Sequence, residues 1–436
     1  MNDTYDVVIN GASVAGCTAA ILYARRGAKV ALLERRSEMT SYKVLCTHYI
    51  QPSGYPVIAE LGLIGELEAA GAVRNSAKYW TRWGWIDPEA RRGPSSLPHG
   101  YSIRRKVLDP MLRHMAAETK GVELRLGHTV NGLLTDGDRV VGVAGTAGTD
   151  IFELRGRLIV GADGKDSAIA TLAKTPTETV DNNRFSYFAH FRNLPRPDGH
   201  VAKVYYLEPD NAYVMPNDDD VTVISAVVSK ERLAEFKEDL EGAYRRFVLS
   251  LPEAPDIDSA ERVSKIVGTL NYPTIIREPS GHGYALVGDA ALTSDPLAAV
   301  GCGWAMQSSH WLVEATSSAV LGRGDLNSAL TIYGKRRERE VKAHGHLIAD
   351  YASARPFNHI ERFMFSAAAR DGHMAEHFHT FGSRIMTVPE FLSPLPVARA
   401  IMVNGRALLS PKRRGDRHHA ATHQDSRREM TQRGAR

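Results

Sequence analysis

The sequence of 436 residues is poor in cysteine and has no long hydrophobic run. Its 3 cysteines stand at positions 17, 46 and 302 and form no Cys-x-x-Cys pair, so neither a disulfide framework nor structural zinc is expected. No run of about 18 apolar residues is present, which argues against a membrane-spanning helix. Residues 1–6 lack the basic and apolar pattern of an export signal. We therefore expect a protein of the reducing cytoplasm with no membrane partner.

An excess of one charge sign is also lacking, because 54 Lys and Arg face 50 Asp and Glu, a net charge of +4. Residues 411–436 contain eight basic and three acidic residues, a net +5, which leaves −1 for the rest of the chain. This segment has no apolar periodicity, so we expect a solvated, disordered tail. No nucleic-acid partner is expected from it.

A glycine-rich turn between an apolar strand and a helix opens the chain. The strand covers residues 5–10, the turn runs from Gly11 to Gly16, and the helix follows over 17–26. A second strand ends at Glu34, 18 residues after Gly16. In such a unit the small turn residues let a pyrophosphate approach the positive helix N-terminus, and the acid accepts hydrogen bonds from a ribose. The pattern predicts a dinucleotide site, in which Ser13 replaces the usual second glycine.

The middle of the chain contains a second strand-to-turn junction and a run of strands. A buried strand ends at Asp163, where an Ala-Asp-Gly turn leads into a helix. The Gly142–Gly148 stretch is instead predicted to be a hairpin, because a strand and not a helix follows it. The strands over 184–228 predict an antiparallel sheet inserted into the nucleotide-binding fold. Its candidate substrate-lining residues are Phe188, Tyr205, Tyr213 and Met215, although such side chains also form ordinary cores.

A third junction lies at 284–304, where a short apolar strand runs into Gly288 and Asp289. A loop with Pro296 follows, and Gly301-Cys302-Gly303 begins a helix. A plain NAD-dependent dehydrogenase has no use for this second acidic turn. The segment predicts the ribityl-binding end of an FAD site.

These three junctions in this order resemble the single-component FAD-dependent monooxygenases, the para-hydroxybenzoate hydroxylase-like aromatic hydroxylases, over residues 5–330. The resemblance implies pyrophosphate contacts at the first turn, ribose contacts at Glu34, and a brace at Asp163. It implies a ribityl contact at Asp289, a ring contact at Pro296, and helix amides facing flavin N1 and C2=O. The implied cofactor-binding residues are Gly11, Ser13, Val14, Ala15, Gly16, Glu34, Arg35, Arg105, Asp163, Gly288, Asp289, Pro296, Gly301, Cys302 and Gly303. Ala298 stands where the family often has glycine.

The resemblance also implies the reaction. NAD(P)H and molecular oxygen would be consumed, and a flavin C4a-hydroperoxide would hydroxylate or epoxidise an aromatic or polycyclic small molecule, as in secondary metabolism. Two alternatives remain: a flavin-dependent reductase similar to geranylgeranyl reductases, and a flavin-dependent halogenase, whose Trp-x-Trp signature residues 83–88 match imperfectly. A redox-responsive flavoprotein that binds a partner through the basic tail is a third, non-enzymatic possibility.

His48 is the candidate catalytic residue, because a histidine beside the flavin could deprotonate a phenol or move a proton. The alternative is a structural histidine. Flavin attachment at Cys46 or Cys302 is disfavoured, and no His-Glu-x-x-His pattern occurs among the 17 histidines, so no metal site is predicted.

The predicted fold class is α/β: a Rossmann-like FAD-binding domain with an inserted antiparallel-sheet substrate domain and a helical C-terminal region. The expected division is the FAD-binding domain at 1–183 and 276–330, the substrate domain at 184–275, the helical region at 331–410 and the tail at 411–436. We expect a monomer or a homodimer.

Overall fold

The computed structural model describes residues 3–92 and 98–409. The predicted tail at 411–436 lies outside these residues. Strands β1 to β11 span Asp3–Asn10, Val30–Glu34, Tyr49–Ile50, Val73–Asn75, Ala77–Thr81, Gly84–Ile86, Gly100–Ser102, Val122–Leu126, His128–Asp136, Arg139–Ala147 and Asp150–Gly161. Strands β12 to β22 span Thr177–Val180, Arg184–Arg192, Ala202–Tyr206, Asn211–Pro216, Val221–Ser229, Glu261–Arg262, Val267–Thr269, Thr274–Arg277, Ser280–Gly281, Tyr284–Leu286 and Leu292–Thr293.

The helices follow the same chain order. Helices α1 to α8 span Val14–Arg25, Tyr55–Leu61, Ile64–Ala69, Glu89–Arg92, Arg105–Glu118, Ala168–Leu172, Leu233–Glu238 and Leu240–Leu249. Helices α9 to α15 span Gly301–Val320, Leu326–Arg337, Ala343–Ala352, His359–Ala368, Gly372–Gly382, Val388–Phe391 and Pro394–Leu409.

The first sheet carries the nucleotide-binding architecture. Its strand order is β20-β21-β11-β1-β2-β8, and the pairs from β21 to β8 are parallel. The carboxyl ends of β1, β11 and β21 therefore lie at one edge, which gathers the three predicted turns. Strand β10 pairs antiparallel with β11, with Ala147 opposite Asp150, so the predicted hairpin at the Gly142–Gly148 stretch is confirmed.

Helices α1 and α9 pack together beneath these turns. The Ser309 hydroxyl in α9 donates to the Ala15 carbonyl of α1 at 2.9 Å, and the Tyr23 and Thr316 hydroxyls are 2.5 Å apart in the interior. Alanine and glycine in the first half of α1 allow this close approach. The two helix N-termini consequently begin at neighbouring turns.

The second sheet has the order β17-β13-β16-β15-β14-β5-β6, and β18 also pairs with β13. One face is covered by α7 and α8, which bury Phe236, Tyr244 and Phe247. The other face joins the core of the nucleotide-binding part. Strands β5 and β6, from residues 77–86, belong to this sheet, so the chain contributes to it well before residue 184.

The remaining chain, from α9 to α15, is helical. The predicted fold class is therefore confirmed: a mixed α/β fold with a parallel nucleotide-binding sheet, an antiparallel sheet and C-terminal helices. The five-part division of the chain stays a prediction. Within the described ranges, no helix combines the length and apolar character needed to cross a bilayer.

Candidate functional site

The first turn can be built only from glycine at two positions. Gly11 has a φ of +106°, and a Cβ there would lie 2.4 Å from the Ala162 carbonyl oxygen. A Cβ on Gly16 would lie 1.7 Å from the Gly11 carbonyl oxygen. The Ser13 side chain makes no capping bond to α1, and the first helical turn contains no acid. The amides at this N-terminus are thus available to an anion.

Glu34 is held against the same turn. Its Oε2 accepts from the Ala12 amide at 3.0 Å and its Oε1 from the Arg36 amide at 3.1 Å. The side chain is buried, whereas the neighbouring Arg35 is exposed. Each carboxylate oxygen keeps a further lone pair for a ribose hydroxyl.

Arg105 lies beside this turn in the interior. Its Nη2 donates to the Ser13 hydroxyl at 2.7 Å, while its Nε and Nη2 donate to the Asp109 carboxylate at 2.7 and 3.0 Å. Because the Ser13 oxygen accepts from Arg105, its own proton remains available to a phosphate. The serine in place of glycine therefore supplies a donor where the sequence predicted a phosphate contact.

Asp163 connects the strand ends. Its Oδ2 accepts from the Asn10 side chain at 2.9 Å and from the Ala168 amide at 2.8 Å. Burial raises the pKa of this carboxyl, and the Ser167 hydroxyl opposes that shift. Asp163 thus ties β1 to the turn that follows β11.

Arg277 links this second turn to the third. Its Nη2 donates to the Lys165 carbonyl at 2.7 Å and its Nη1 to the Ala290 carbonyl at 2.9 Å. The two predicted turns are therefore held together by one side chain that the sequence analysis did not single out.

Asp289 stands at the start of α9. Its Oδ1 lies 3.8 Å from the position that a Cβ on Gly301 would take, and its Oδ2 forms an ion pair with Lys43 Nζ at 2.9 Å. The adjacent Gly288 has a φ of +58°, and a Cβ there would lie 3.1 Å from the Ala15 methyl group. Lys43 was missed by the sequence analysis because its loop has no periodicity or motif.

The loop before α9 is fixed at both ends. The Asp295 carboxylate accepts from the Leu297 amide at 2.9 Å, and Pro296 begins a short 3₁₀ turn. The left-handed residue of this loop is Ala299, with φ 50°, and not the neighbouring Ala298. No side chain caps the N-terminus of α9, and its first turn contains no acid. Its amides are available to negative charge in the same way as those of α1.

Gly303 allows another segment to approach α9. A Cβ on Gly303 would lie 3.2 Å from the Cβ of Gln51 and 3.5 Å from the Ser53 hydroxyl. The Gln51 side chain donates to the Ala298 carbonyl at 3.0 Å. Residues 51–54 thus form a wall beside the start of α9.

Two of the three cysteines lie close together at the start of α9. Cys46 and Cys302 place their sulfur atoms 4.0 Å apart, and Arg105 Nη1 lies 4.0 and 3.9 Å from them. The His48 amide donates to the Cys46 sulfur at 3.2 Å. The pKa of Cys46 is lowered, first by a hydrogen bond from Cys302 and then by a hydrogen bond from His48 and the charge of Arg105, although burial opposes this shift. The pKa of Cys302 is raised by the same contact with Cys46 and by burial.

His48 connects this cluster to the second sheet. Its Nδ1 accepts from the Arg105 amide at 3.1 Å, so its Nε2 carries the hydrogen that faces His190 Nε2 at 3.1 Å. His190 Nδ1 then donates to the Ser264 hydroxyl at 3.2 Å, which itself donates to the Lys265 carbonyl. These contacts form a directed chain of donors from the interior to the half-buried Ser264.

His48 holds a left-handed backbone conformation, with φ 62°. Burial, and then the charge of His48, lowers the pKa of His190 to about 4. His190 is thus a neutral acceptor near pH 7. Several non-glycine turn residues of this chain share such a conformation, so the catalytic role of His48 stays a prediction.

The predicted substrate residues are divided between the two faces of the second sheet. Tyr213 and Met215 face the nucleotide-binding part, and Phe188 shares that face because it is two residues from His190 on β13. Tyr205 lies on the opposite face and packs against Trp85 in the core under α7 and α8. The fold therefore brings Phe188, Tyr213 and Met215 together and leaves Tyr205 apart.

These residues fit FAD by the chemistry of their donors and by the close backbone approach that glycine allows. The uncapped N-terminus of α1, Ser13 and Arg105 suit a pyrophosphate, Glu34 a ribose, Asp289 a ribityl hydroxyl, and the uncapped start of α9 the electron-rich edge of a flavin. Among residues 3–92 and 98–409, no group of three or more acidic, histidine or cysteine side chains could hold a metal ion.

Comparison with known proteins agrees with this chemistry. The model of the FAD binding domain family matches residues 4–345. Digeranylgeranylglycerophospholipid reductase 1 of Methanococcoides burtonii is 26% identical over 354 residues, covering 77% of this chain and 80% of that protein. The 6-methylpretetramide 4-monooxygenase of Streptomyces rimosus is 26% identical over 309 residues, covering 69% of this chain and 72% of that protein.

A solved structure extends the likeness to the fold as a whole. The flavin-dependent brominase Bmp2 superposes with a TM-score of 0.73 at 18% identity and covers 93% of this chain and 100% of its own. The similar proteins thus include a reductase, a monooxygenase and a halogenating enzyme. The shared fold by itself does not separate these three chemistries.

Proposed function

The chain belongs to the FAD binding domain family, and from that premise we propose that it is a FAD-dependent monooxygenase that uses NAD(P)H and molecular oxygen. Its substrate is an aromatic or polycyclic small molecule, which it hydroxylates or epoxidises. The observation that carries the proposal is the aromatic face of the second sheet, which His190 joins to the predicted flavin site through His48. The monooxygenase relative supports the same reaction.

The chain's residues would hold and orient the reactants. The turn at Gly11, with Ser13 and Arg105, would bind the FAD pyrophosphate, and Asp289 a ribityl hydroxyl. Bound FAD would supply the activation of oxygen. The buried sheet face would exclude water and present the substrate beside Pro296 and the start of α9.

His48 would move a proton. Its Nε2 hydrogen faces a neutral acceptor, His190 Nε2, and His190 in turn donates to Ser264 near the surface. A phenolic substrate on the sheet face would give its proton to this histidine pair, and His190 Nδ1 would release a proton toward Ser264 in exchange. The chain of donors thus connects a buried site with solvent.

A reductase is the second candidate, because the reductase relative covers 77% of this chain. Such an enzyme would use the same flavin site without transferring oxygen. Halogenation has weaker support, because Trp85 of the Trp-x-Trp stretch packs on the far face of the sheet against Tyr205 and bonds to Glu253.

Isotopic labelling tests the proposal. The purified protein is loaded with FAD, and candidate phenols are screened for those that stimulate NAD(P)H oxidation. The reaction is then run under ¹⁸O₂, and the mass of the product is measured by mass spectrometry. We expect one ¹⁸O atom in the product. A product without label would favour the reductase, and a protein that cannot be loaded with FAD would contradict both candidates.

A further inference from the structure

The segment after α13 places an arginine in the interior without a counter-charge. Arg384 has a left-handed backbone, with φ 61°, and its half-buried side chain points inward. Its Nη1 donates to His344 Nδ1 at 3.2 Å, whereas its Nε is buried without a partner. Within the part of the chain that the structure describes, no carboxylate forms an ion pair with it, and the acidic groups that affect its pKa are tyrosine phenols.

Two other buried arginines are paired with acids, and a third, Arg184, is held by the Asn211 side-chain oxygen and the Tyr351 carbonyl. Arg104 is bonded to Asp218 at 2.8 Å and Arg105 to Asp109 at 2.7 Å. Burying a guanidinium without such a partner is costly, because the lost hydration is not replaced. Burial accordingly lowers the pKa of Arg384. A site that keeps such a cation is suited to an anion that arrives from outside.

Tyrosine side chains with neutral hydroxyl groups lie near Arg384. Three tyrosines are close enough to affect the pKa of Arg384, namely Tyr206, Tyr79 and Tyr213, and burial raises the pKa of each, so these phenols are neutral near pH 7. The Tyr79 and Tyr206 rings are stacked with centroids 6.4 Å apart, and the Tyr213 hydroxyl is buried without a partner. Neutral hydroxyls can donate to an anion.

His344 fixes the direction of the guanidinium. Its Nε2 is bonded to the Met386 carbonyl at 2.9 Å, so its Nδ1 is left as an acceptor for Arg384. Burial, and then the charge of Arg384, lowers the pKa of His344 to about 3, so this acceptor stays neutral. One corner of the guanidinium is thereby held, and the Nε edge remains for a two-point contact.

This arginine adjoins the predicted flavin site. The carbonyl of Ser383, its chain neighbour, accepts from the Ser53 amide at 3.3 Å, and Ser53 lies against Gly303 at the start of α9. Asp295, which precedes Pro296, is close enough to contribute to the raised pKa of Tyr213. The arginine and the tyrosines therefore lie on the side of the sheet that faces the nucleotide-binding part.

We propose that Arg384 binds an anionic group of the substrate, a carboxylate or an ionised enol or phenol on an aromatic ring system, with the Tyr213 hydroxyl as a further donor. This inference rests on the proposed function and narrows its substrate class. The anion would accept two hydrogen bonds from the guanidinium, and the ring would extend along the aromatic face toward Pro296. Arg384 is then the residue that selects acidic over neutral aromatic ligands.

The test compares two probes of the same size, 2-naphthoate and its neutral amide, on FAD-loaded protein by calorimetric titration. We expect the wild type to bind the carboxylate about tenfold or more tightly than the amide, because hydrogen bonds to a buried charge are strong. Arg384→Met should lose this preference and Arg384→Lys should keep part of it. Arg399→Met in α15, which removes a partly exposed ion pair with Asp371 at the start of α13, serves as the control and should leave the preference unchanged.

Thermal unfolding separates a ligand-binding role from a structural one. If Arg384 is kept for an anion, Arg384→Met should unfold at about the same temperature, because removal of a buried charge without a counter-charge offsets the lost hydrogen bond to His344. A lower unfolding temperature with an unchanged carboxylate preference would overturn the proposal, as would a wild type that binds neither probe or both equally. This titration measures binding and needs no turnover. The carboxylate preference can therefore be determined even if oxygen labelling contradicts the monooxygenase proposal.

Discussion

Cys46 differs from the other cysteines in what surrounds its sulfur atom. The Cys46 sulfur accepts a hydrogen bond from the His48 amide at 3.2 Å and lies next to Cys302 and Arg105. Cys17, in contrast, is buried in the apolar core. Hydrogen-bond donors and a neighbouring cation stabilise a thiolate, and apolar burial disfavours it. The three thiols should therefore differ in reactivity although all are unpaired by disulfide bonds.

We expect iodoacetamide at neutral pH to modify Cys46 first, at least about tenfold faster than Cys17. The pKa of Cys46 is lowered, chiefly by the hydrogen bond from Cys302, while burial raises the pKa of Cys17. Peptide mass spectrometry over time measures the order. Cys17→Ser should leave the fast phase intact and Cys46→Ser should remove it, and modification of Cys302 ahead of Cys46 would contradict the assignment.

Individual residues differ in how far the sequence could predict them. Gly11, Gly16 and Glu34 are close in sequence, so one motif contained the whole arrangement. Lys43 and Asp289 are 246 residues apart and meet only in the fold. Their pairing has no local signal, because a lone lysine in a loop has the same sequence pattern whether or not it bonds to an acid.

At the scale of elements, the turn from β1 into α1 leaves no room for a side chain at two of its glycines. Its geometry depends on the absence of a side chain at Gly16, where a Cβ would meet the Gly11 carbonyl oxygen at 1.7 Å. The carbonyl cannot move freely, because Gly11 is itself pressed against the Ala162 backbone. A methyl group here must displace the start of α1.

Gly16→Ala should destabilise the protein by about 1–3 kcal/mol and abolish FAD uptake, because the amides of α1 lose their position. Urea denaturation and the flavin absorbance of the purified protein measure the two effects. Gly65→Ala is the matched control: this glycine lies in α3 with nothing within 4 Å of an added Cβ, so the change should be neutral or stabilising. Normal flavin content in Gly16→Ala would contradict the predicted pyrophosphate site.

The positions of strands and helices were easier to predict from the sequence than which side of each strand faces the flavin site. The strands over 184–228 follow from alternation, but alternation does not say which face meets the flavin side. Tyr205 and Tyr213 both read as inward-facing aromatics, and the pairing of Tyr205 with Ala212 places Tyr205 on the outer face. Arg384 gave no signal at all, since the role proposed for it depends on the lack of a neighbouring acid among the described residues, which only the fold shows.

At the scale of the whole molecule, neutral histidines hold separate parts together. His190 joins the second sheet to the nucleotide-binding part, and His344 in α11 bonds to the segment after α13. Both pKa values are lowered, first by burial, to about 4 and about 3. The folded protein therefore resists protonation at sites that the unfolded chain protonates near pH 6.5.

Stability should fall as the pH drops from about 6.5 toward about 4, because the unfolded state binds protons there that the folded state does not. The loss begins at the unfolded pKa and ends when the folded pKa of each histidine is passed. Urea midpoints across this range measure it. His344→Gln and His190→Gln should flatten the profile relative to wild type, and His282→Gln, at an exposed histidine, should not. A wild-type stability that does not change over this pH range would contradict the prediction that His190 and His344 are neutral in the folded protein.

The early contribution of β5 and β6 to the second sheet has a consequence for recombination between relatives. A chimaera that exchanges only residues 184–275 would keep the host's β5 beside a foreign β14, although the two strands pair in parallel from Ala77 opposite Ala202. The second sheet is thus discontinuous in sequence, and a transplant of the proposed substrate-binding sheet must carry residues 77–86 with it. Homologous exchange at a single crossover would break this edge of the sheet, because the proposed substrate-binding sheet is encoded in two separate pieces of sequence.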